Sequence, residues 1–531
     1  MSDQLVPAAS HLADRTPWTI RLGQLGYRFL LVMVAGIILA ILGVMLAVVI
    51  GGNRTDSLET FPGPIWPYLG VVVVLTAATV SGLRVVWRRW LPKVWMVGTA
   101  IGLGAFGSKL TAALAIKSVP YTDFLTQLEA AQLIAKGDWS FNQSWYFQIW
   151  GYQTPFSVYQ ATVLRLAGPS ITSLLVLNAV FMAVTNVMVF VLAHRLTKNP
   201  LVACAAALAY LVYPAPYLMA SVLTNQHLAT CLFFVGLLLF LRAVQDVSGW
   251  QRLTWAAGGG IAIGLGDLMR PIGVVALVTV AVTLGGAWLL NQVGWRGVVL
   301  VAGGLALVYG SVTEGADWAA KASGLNPAGL GNAFPEWKLA HGTDRMAYGG
   351  YSGKVRLRFT VDDDGTSPVS VPFTLVPDRQ AARELIREQI KDALAHPTSF
   401  LARKIWVMWV RPEIVELAFK PYLAPDSPSY DNWRHRLDKV QLFERAVYST
   451  ILVFALASVV VAWRRRPDPT HLLTVAVLVA YFAAHLPVET QAHYRYFWMP
   501  PIFALSSLVL AQIVTWRNQL IPDRLESGPS G

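Results

Sequence analysis

The feature that most constrains this chain is a series of apolar runs, each long enough, or nearly so, to cross a lipid bilayer. A membrane span needs about 20 helical residues. About twelve runs meet or approach this length: residues 29–50, 67–83, 94–116, 171–193, 201–217, 226–243, 255–269, 272–290, 297–314, 442–463, 472–487 and 498–515. Composition agrees, since 55% of the residues are hydrophobic and only 14% are charged. The sequence therefore predicts an all-α polytopic membrane protein.

The cations of this chain, whose net charge is +12, are concentrated in particular loops. Threading about twelve spans through a bilayer puts these loops on one face, which the positive-inside rule makes cytoplasmic. They carry Arg15, Arg21, Arg28, Arg84, Arg88, Arg89, Lys93, Arg195, Lys198, Arg242, Arg252, Arg296, Arg464, Arg465, Arg466 and Arg517. Both termini are then expected in the cytoplasm. This distribution indicates membrane topology and gives no reason to expect a nucleic-acid partner.

On this topology the chain divides into three parts. Residues 1–314 form an N-terminal transmembrane module that includes an outer loop at 117–170 with surface helices, 315–441 form an extracytoplasmic segment, and 442–531 form a C-terminal transmembrane module with a cytoplasmic tail. Within the middle part, alternating apolar residues over 354–376 predict a β-hairpin. The apolar spacing over 378–397 predicts an amphipathic helix. We therefore expect a small α+β segment outside the membrane.

The stretch PYTDFLTQLEAAQLIAKGDW, residues 120–139, follows directly on an apolar run and carries an aspartate at position 123. One stripe of apolar residues predicts a helix over 123–137 that lies along the membrane surface. The stripe consists of Phe124, Leu128, Ala131 and Ala135. Asp123 has two interpretations: an acid that complements the helix dipole, or a catalytic base at the membrane–water boundary.

The next stretch, WSFNQSWYFQIWGYQTPFSVYQATVLRLAG, is dense in aromatic residues. They include Trp139, Trp145, Tyr146, Phe147, Trp150 and Tyr152. An interfacial aromatic belt accounts for such a composition, and so does a surface that stacks on sugar rings. The density of aromatic residues does not distinguish the two.

Four segments follow one another over residues 120–505. The first is Asp123 with its surface helix and YQTPFSVYQATVLRLAG, and the others are GIAIGLGDLMRPIGVVAL, AHPTSFLARKIWVMWV and HLPVETQAHYRYFWMPPIFAL. Together they resemble the GT-C superfamily, the polyprenyl-phosphate-sugar-dependent membrane glycosyltransferases, which include protein O-mannosyltransferase-like and aminoarabinose-transferase-like enzymes. The chain departs from many relatives in lacking a second acid in YTDFL and any carboxylate over 222–230.

The resemblance implies transfer of a monosaccharide from a polyprenyl-phosphate donor to a lipid, glycan or protein acceptor, with inversion. It makes Asp123 the candidate catalytic base. Cations at the same depth would hold the donor phosphate, and the candidates are Arg495, Arg270 and Lys117. Arg495 has an alternative interpretation as a snorkelling interfacial arginine. The alternative interpretation of Arg270 is that it forms an ion pair with Asp267, which lies one helical turn earlier.

Glu489 and His493 lie in the same late loop as Arg495. They are candidates for orienting the acceptor or ligating a metal, but two residues are too few to specify a metal site. A divalent metal therefore stays an open possibility, and no other cofactor is indicated. The expected setting is a bacterial plasma membrane, with the active site facing outside and membrane lipids as further partners.

A transporter or lipid flippase is the main alternative, because about twelve spans also suit that class. Two-half transporters show similar halves and a substrate site near the bilayer midplane. This chain is asymmetric, with its long outer segment after the ninth predicted span. A non-catalytic partner in envelope synthesis is a third interpretation. It keeps the architecture but needs no base.

Overall fold

The structure, a computed structural model, describes residues 17–51, 64–90, 93–116, 118–245, 248–344, 379–411, 418 and 430–520. Within those ranges the chain is helical apart from its connecting segments, and its one β-type contact is an isolated bridge between Trp150 and Asn332. The prediction of an all-α polytopic fold is confirmed. The predicted hairpin at 354–376 lies outside the described residues.

The helices follow one another through short connections. In chain order they are α1 (Pro17–Gly51), α2 (Trp66–Trp90), α3 (Val94–Ile116), α4 (Asp123–Ala135), α5 (Trp145–Ile149), α6 (Thr154–Ala167), α7 (Thr172–Thr197), α8 (Pro200–Val212), α9 (Pro214–Met219), α10 (Gln226–Val244), α11 (Gly249–Met269), α12 (Gly273–Leu289), α13 (Trp295–Ala322), α14 (Pro335–Thr343), α15 (Arg379–Ala395), α16 (Pro397–Ile405), α17 (Tyr430–Trp463), α18 (Pro469–Ala484) and α19 (Met499–Leu520). A π-helical turn, Trp406–Val410, extends α16, and a 3₁₀ turn, Ala492–Trp498, precedes α19.

Every apolar run predicted to span the membrane coincides with a helix. Among the described residues, eight helices are long and apolar enough to cross a bilayer: α1, α2, α3, α7, α10, α13, α17, and α19 with the turn before it. Three shorter apolar helices, α8, α12 and α18, accompany them. The remaining predicted run lies in the glycine-rich α11. Length and composition therefore support a multi-pass membrane protein.

Small residues let several helices of the bundle approach closely. A Cβ on Gly236 of α10 would lie 2.6 Å from Ile263 Cγ1 of α11. A Cβ on Gly260 of α11 would lie 2.6 Å from the carbonyl oxygen of Leu305 in α13. The glycine run of α11 therefore serves helix packing, as glycines in membrane helices commonly do.

An outer layer built from α4, α5, α6 and α14 covers one end of the bundle. It has its own aromatic core, whose buried members are Ala130, Phe141, Tyr146, Phe147, Trp150, Phe334 and Trp337. Much of the aromatic-rich stretch is thus the interior of this layer, although Trp139 and Trp145 remain 40% exposed.

Both helices predicted outside the bundle are present, but the helix over 123–137 packs differently from what we expected. The helix predicted over 378–397 is α15, which packs against α14. The helix predicted over 123–137 is α4, but the apolar stripe that we expected to face lipid packs inward instead. Leu128 and Ala131 are buried in the main core, and α4 packs against α6.

Candidate active site

Asp123 is the first residue of α4, and the backbone before it adopts an unusual conformation. Thr122 has φ 47° and ψ −129°. A positive φ is unfavourable for a β-branched residue and costs about 1–3 kcal/mol. Such strain persists where the surrounding structure over-determines it, often at functional sites. The turn at Thr122 therefore fixes the direction in which α4 starts and the position of its first carboxylate.

The Asp123 carboxylate is both accessible and closely surrounded. The residue is exposed at the surface, but neighbouring protein atoms partly desolvate its carboxylate. Accessibility decides whether a substrate hydroxyl can reach the carboxylate, and the dense surroundings decide its acidity. Within the described part of the chain, no hydrogen-bond donor engages this carboxylate. Its oxygens are therefore available to a ligand.

The pKa of Asp123 is raised above its ordinary value, first because burial disfavours the charged form. Three charged side chains within electrostatic range modify this effect. Lys338 and Arg270 lower the pKa, and the like charge of Glu489 raises it. A base with a raised pKa accepts a proton more readily from an attacking hydroxyl. The environment thus favours the interpretation of Asp123 as a base.

Lys338 and Glu489 form an ion pair within electrostatic range of Asp123. Their backbones are also joined, because Glu489 N donates to Lys338 O at 3.0 Å. Gln491 Nε2 donates to the second carboxylate oxygen of Glu489 at 2.6 Å. Burial by itself would lower the pKa of Lys338, but Tyr494, Glu489 and Tyr152 raise it overall. Lys338 is therefore a permanent cation of this site.

Arg270 reaches the same cluster from the end of α11. Its Nη1 donates to Asn225 Oδ1 at 3.2 Å, and its guanidinium lies over the Tyr494 ring with Cζ 4.5 Å from the centroid. The expected ion pair with Asp267 is not formed. Asp267 instead accepts hydrogen bonds from Gly273 N and from Tyr309 Oη. Arg270 is thus directed toward the Asp123 cluster.

A chain of amide side chains connects Arg270 to the outer layer. Asn225 Nδ2 lies 2.9 Å from Met269 O and 3.4 Å from Gln153 Oε1. Gln127 Nε2 donates to the same Gln153 oxygen at 2.8 Å and lies 3.2 Å from Tyr146 Oη. Buried networks of this kind hold their members in one arrangement. The network therefore couples the position of Arg270 to α4, which carries Asp123.

Two further side chains border the cluster. Tyr152 lies within electrostatic range of Asp123, Arg270, Lys338 and Glu489. His493 lies within range of Arg270 and Lys338, and its ring centroid is 4.7 Å from that of Tyr494. The structure therefore brings four of the candidate residues together: Asp123, Arg270, Glu489 and His493.

Arg495 is not part of this cluster. It is fully buried, and its Nη2 donates to Glu444 Oε1 at 2.7 Å. Its Nη1 donates to the carbonyl oxygens of Trp409 and Arg411, each at 3.1 Å. This placement does not support the predicted contact with a donor phosphate, because the guanidinium is enclosed and its terminal nitrogens are engaged inside the protein. Lys117, the third phosphate candidate, lies outside the described residues.

The residues around Glu489 do not make a metal-ligand set. Both carboxylate oxygens of Glu489 accept hydrogen bonds, one from Lys338 and the other from Gln491. In the portion of the chain that the structure describes, no three His, Cys, Asp or Glu side chains are grouped to hold a metal. The Asp123 carboxylate has two cations, Arg270 and Lys338, within electrostatic range, and such cations suit a phosphate-bearing substrate.

Sequence reasoning missed Lys338 and Lys404. Lys338 lies in α14, a short helix without a recognisable motif. Lys404 is buried at the end of α16, where Nζ donates to Val488 O and His485 O. These bonds hold the loop that carries Glu489. The segment AHPTSFLARKIWVMWV contains Lys404, so a cation in an apolar surface helix was an available signal.

The family comparison agrees with this architecture. Residues 154–309, from α6 into α13, match the family model described as dolichyl-phosphate-mannose-protein mannosyltransferase. The match supports the resemblance to membrane glycosyltransferases of the GT-C type and favours this class over a transporter. The matched range contains Arg270 and Asn225 but not Asp123 or Glu489. Comparison with curated proteins finds no match.

Proposed function

We propose that this chain transfers a monosaccharide from a polyprenyl-phosphate donor to a hydroxyl-bearing lipid, glycan or protein on the non-cytoplasmic face of the membrane. The observation that carries the proposal is the Asp123 carboxylate, accessible to solvent and within electrostatic range of Arg270 and Lys338. The name of the matched family supports a lipid-phosphate donor. The one-sided distribution of cations in the sequence supports the sidedness.

The reaction uses the three charged groups in separate roles. Asp123 takes the proton of the acceptor hydroxyl while the acceptor oxygen attacks the anomeric carbon. The bond between that carbon and the phosphate oxygen breaks, and the electron pair leaves with the polyprenyl phosphate. Arg270 and Lys338 stabilise the charge that develops on this leaving group. A single displacement of this kind inverts the anomeric configuration.

Glu489 is a positioning residue in this scheme. It holds Lys338 through the ion pair and the backbone hydrogen bond, and its own charge raises the pKa of Asp123. Tyr494 positions Arg270 in a comparable way, since the guanidinium lies over its ring. The phosphate-binding cations are therefore directed by residues of the loop that precedes α19.

The experiment that tests this function compares donors. The purified full-length protein is supplied with polyprenyl phosphates carrying different monosaccharides and, separately, with nucleotide sugars. Release of polyprenyl phosphate is followed by mass spectrometry, and the anomeric configuration of the product by NMR. We expect release from at least one lipid-linked donor, inversion, and no transfer from nucleotide sugars. Transfer from a nucleotide sugar in the absence of lipid-linked donor would contradict the proposal.

A further inference from the structure

A second cluster of cations lies where α1 begins and α17 ends. A cavity of about 210 Å³ is lined there by Tyr27 and Arg28 of α1 and by Trp463 and the arginines at 464–466. Because α1, α2 and α3 follow one another as successive spans, this end of the bundle is opposite the end where α3 leads to Asp123. A cavity needs about 10–15 Å³ of such volume to hold one water molecule. The cavity therefore has room for a phosphate group.

The wall of this cavity is strongly positive. Arg28 is far from Arg464, Arg465 and Arg466 in sequence, and the fold brings all four to one cavity. Across the described ranges, none of the four forms an ion pair. The nearby acid, Asp468, forms no ion pair with these described arginines, and its Oδ1 accepts from His471 N at 3.0 Å and lies 2.9 Å from His471 Nδ1. The cavity thus presents cations that lack a described counter-ion.

Tyr27 is one of the residues that line this cavity. The residue is only 2% exposed, and its hydroxyl has no hydrogen-bond partner among the described residues. A buried hydroxyl without a partner is unfavourable. An acceptor oxygen held in the cavity would be the partner that this hydroxyl lacks.

Apolar residues beside the cavity indicate where the ligand comes from. On α1, Leu25 is 64% exposed and Phe29 is 61% exposed, one on either side of Arg28 in sequence. The Arg28 guanidinium lies over the Trp463 ring, with Cζ 5.3 Å from the centroid. An apolar flank beside a cation and an interfacial tryptophan suits an acyl chain next to its headgroup.

We propose that this cavity binds the phosphate of an anionic phospholipid in the leaflet opposite Asp123. Arginines at a cytoplasmic helix end are expected in any membrane protein, because they set topology. Here, however, the cavity that these arginines line is also lined by Arg28, which is distant in sequence, and by Tyr27, whose buried hydroxyl has no partner among the described residues. The arginines bind the phosphate oxygens, Tyr27 donates its hydroxyl, and the acyl chains lie along α1. This lipid site is separate from the proposed transfer reaction.

Native mass spectrometry of the full-length protein in detergent tests the proposal. Phosphatidylglycerol and phosphatidylcholine are titrated separately, and inorganic phosphate is added as a competitor. We expect preferential retention of phosphatidylglycerol. The double variant Arg28→Gln/Arg465→Gln should weaken its binding by about fivefold for each arginine removed. Tyr27→Phe, which keeps every charge, should weaken it by about two- to tenfold.

Arg296→Gln is the matched control. Arg296 also lies over a tryptophan, with Cζ 5.6 Å from the Trp295 ring centroid, and it is outside the cavity. This variant should bind phosphatidylglycerol like the wild type. Equal retention by the wild type, Tyr27→Phe and the double variant would overturn the proposal. Displacement of the lipid by millimolar inorganic phosphate would overturn the proposal that the ligand is a phospholipid and would identify a soluble phosphate ligand instead.

Discussion

Lys338 and Glu489, 151 residues apart in sequence, are joined through an ion pair and through a hydrogen bond of 3.0 Å from Glu489 N to Lys338 O. This double connection attaches α14 to the loop that precedes α19. It also holds a cation beside Asp123. The relationship makes the outer helix α14 part of the candidate site.

The first prediction concerns this ion pair. Lys338→Met leaves Glu489, which is 2% exposed, as a buried charge without its cation. Removing one partner of a buried pair costs about 3–5 kcal/mol, and the loss should appear as a lower midpoint of thermal unfolding in a fixed detergent. The double variant Lys338→Met/Glu489→Gln should recover part of the loss.

The control for this prediction is a surface pair of the same type. Lys321 pairs with Asp317, but its side chain is 51% exposed. Lys321→Met should change the free energy of unfolding by about 1 kcal/mol or less. If Lys338→Met lowered the free energy of unfolding no more than Lys321→Met does, the ion pair with Glu489 would not hold α14 in place.

The second prediction concerns the dependence of transfer on pH. Asp123 must be ionised to act as a base, so activity is lost as the pH falls through its pKa. Glu489→Gln removes a like charge and frees Lys338, so the pKa of Asp123 falls and the acid limb of the profile moves to lower pH. Lys338→Met removes a cation and should move it to higher pH. Shifts in the same direction for both variants would contradict this electrostatic account.

The third prediction tests the close approach of α14 to the late loop. A Cβ on Gly342 would overlap the carbonyl oxygen of Pro487 and the backbone of Val488. Gly342→Ala should therefore push α14 away from the loop and lower both transfer activity and the unfolding midpoint. Gly315→Ala in α13 is the control, because a Cβ there meets no atom within 4 Å. Wild-type activity in Gly342→Ala would show that the site does not depend on this contact.

The fourth prediction separates two arginines that the sequence suggests for the same role. Arg270→Gln should raise KM for the lipid-linked donor with little change in unfolding, because Arg270 is directed toward the cluster. Arg495→Met should instead lower stability by about 1.5–3 kcal/mol, because it removes the hydrogen-bonded cation of buried Glu444 and leaves only Arg445, 3.5 Å away. KM values and thermal midpoints measured on both variants check this. Equal effects of the two substitutions on KM would contradict the separation.

The spans were predictable because their signal is local. Each apolar run extends over many consecutive residues, and each coincides with a helix. The start of α4 at Asp123 was likewise readable from the change in polarity after α3 and from the helical spacing that follows. The inward packing of Leu128 and Ala131 was not readable, because helical periodicity does not tell whether an apolar stripe faces lipid or protein.

The candidate site was predicted in part, and the misses have a physical reason. Lys338 has no motif around it, and only the fold brings it to Glu489. The structure places Arg495 outside the cluster for a different reason. Its partner Glu444 lies inside the apolar run 442–463, where an acid usually has an internal partner. That carboxylate was the signal that Arg495 is engaged inside the bundle.

The central claim is that Asp123 is the base, and Asp123→Asn tests it most directly. The substitution keeps size and hydrogen bonding but removes basicity, and a general base contributes about 100- to 10,000-fold to the rate. Glu129→Gln, at an exposed acid of the same helix, is the control. We predict that Asp123→Asn lowers kcat for sugar transfer by that factor and leaves the midpoint of thermal unfolding close to that of the wild type. Glu129→Gln should keep a kcat close to that of the wild type. Transfer by Asp123→Asn at the wild-type rate would contradict the account.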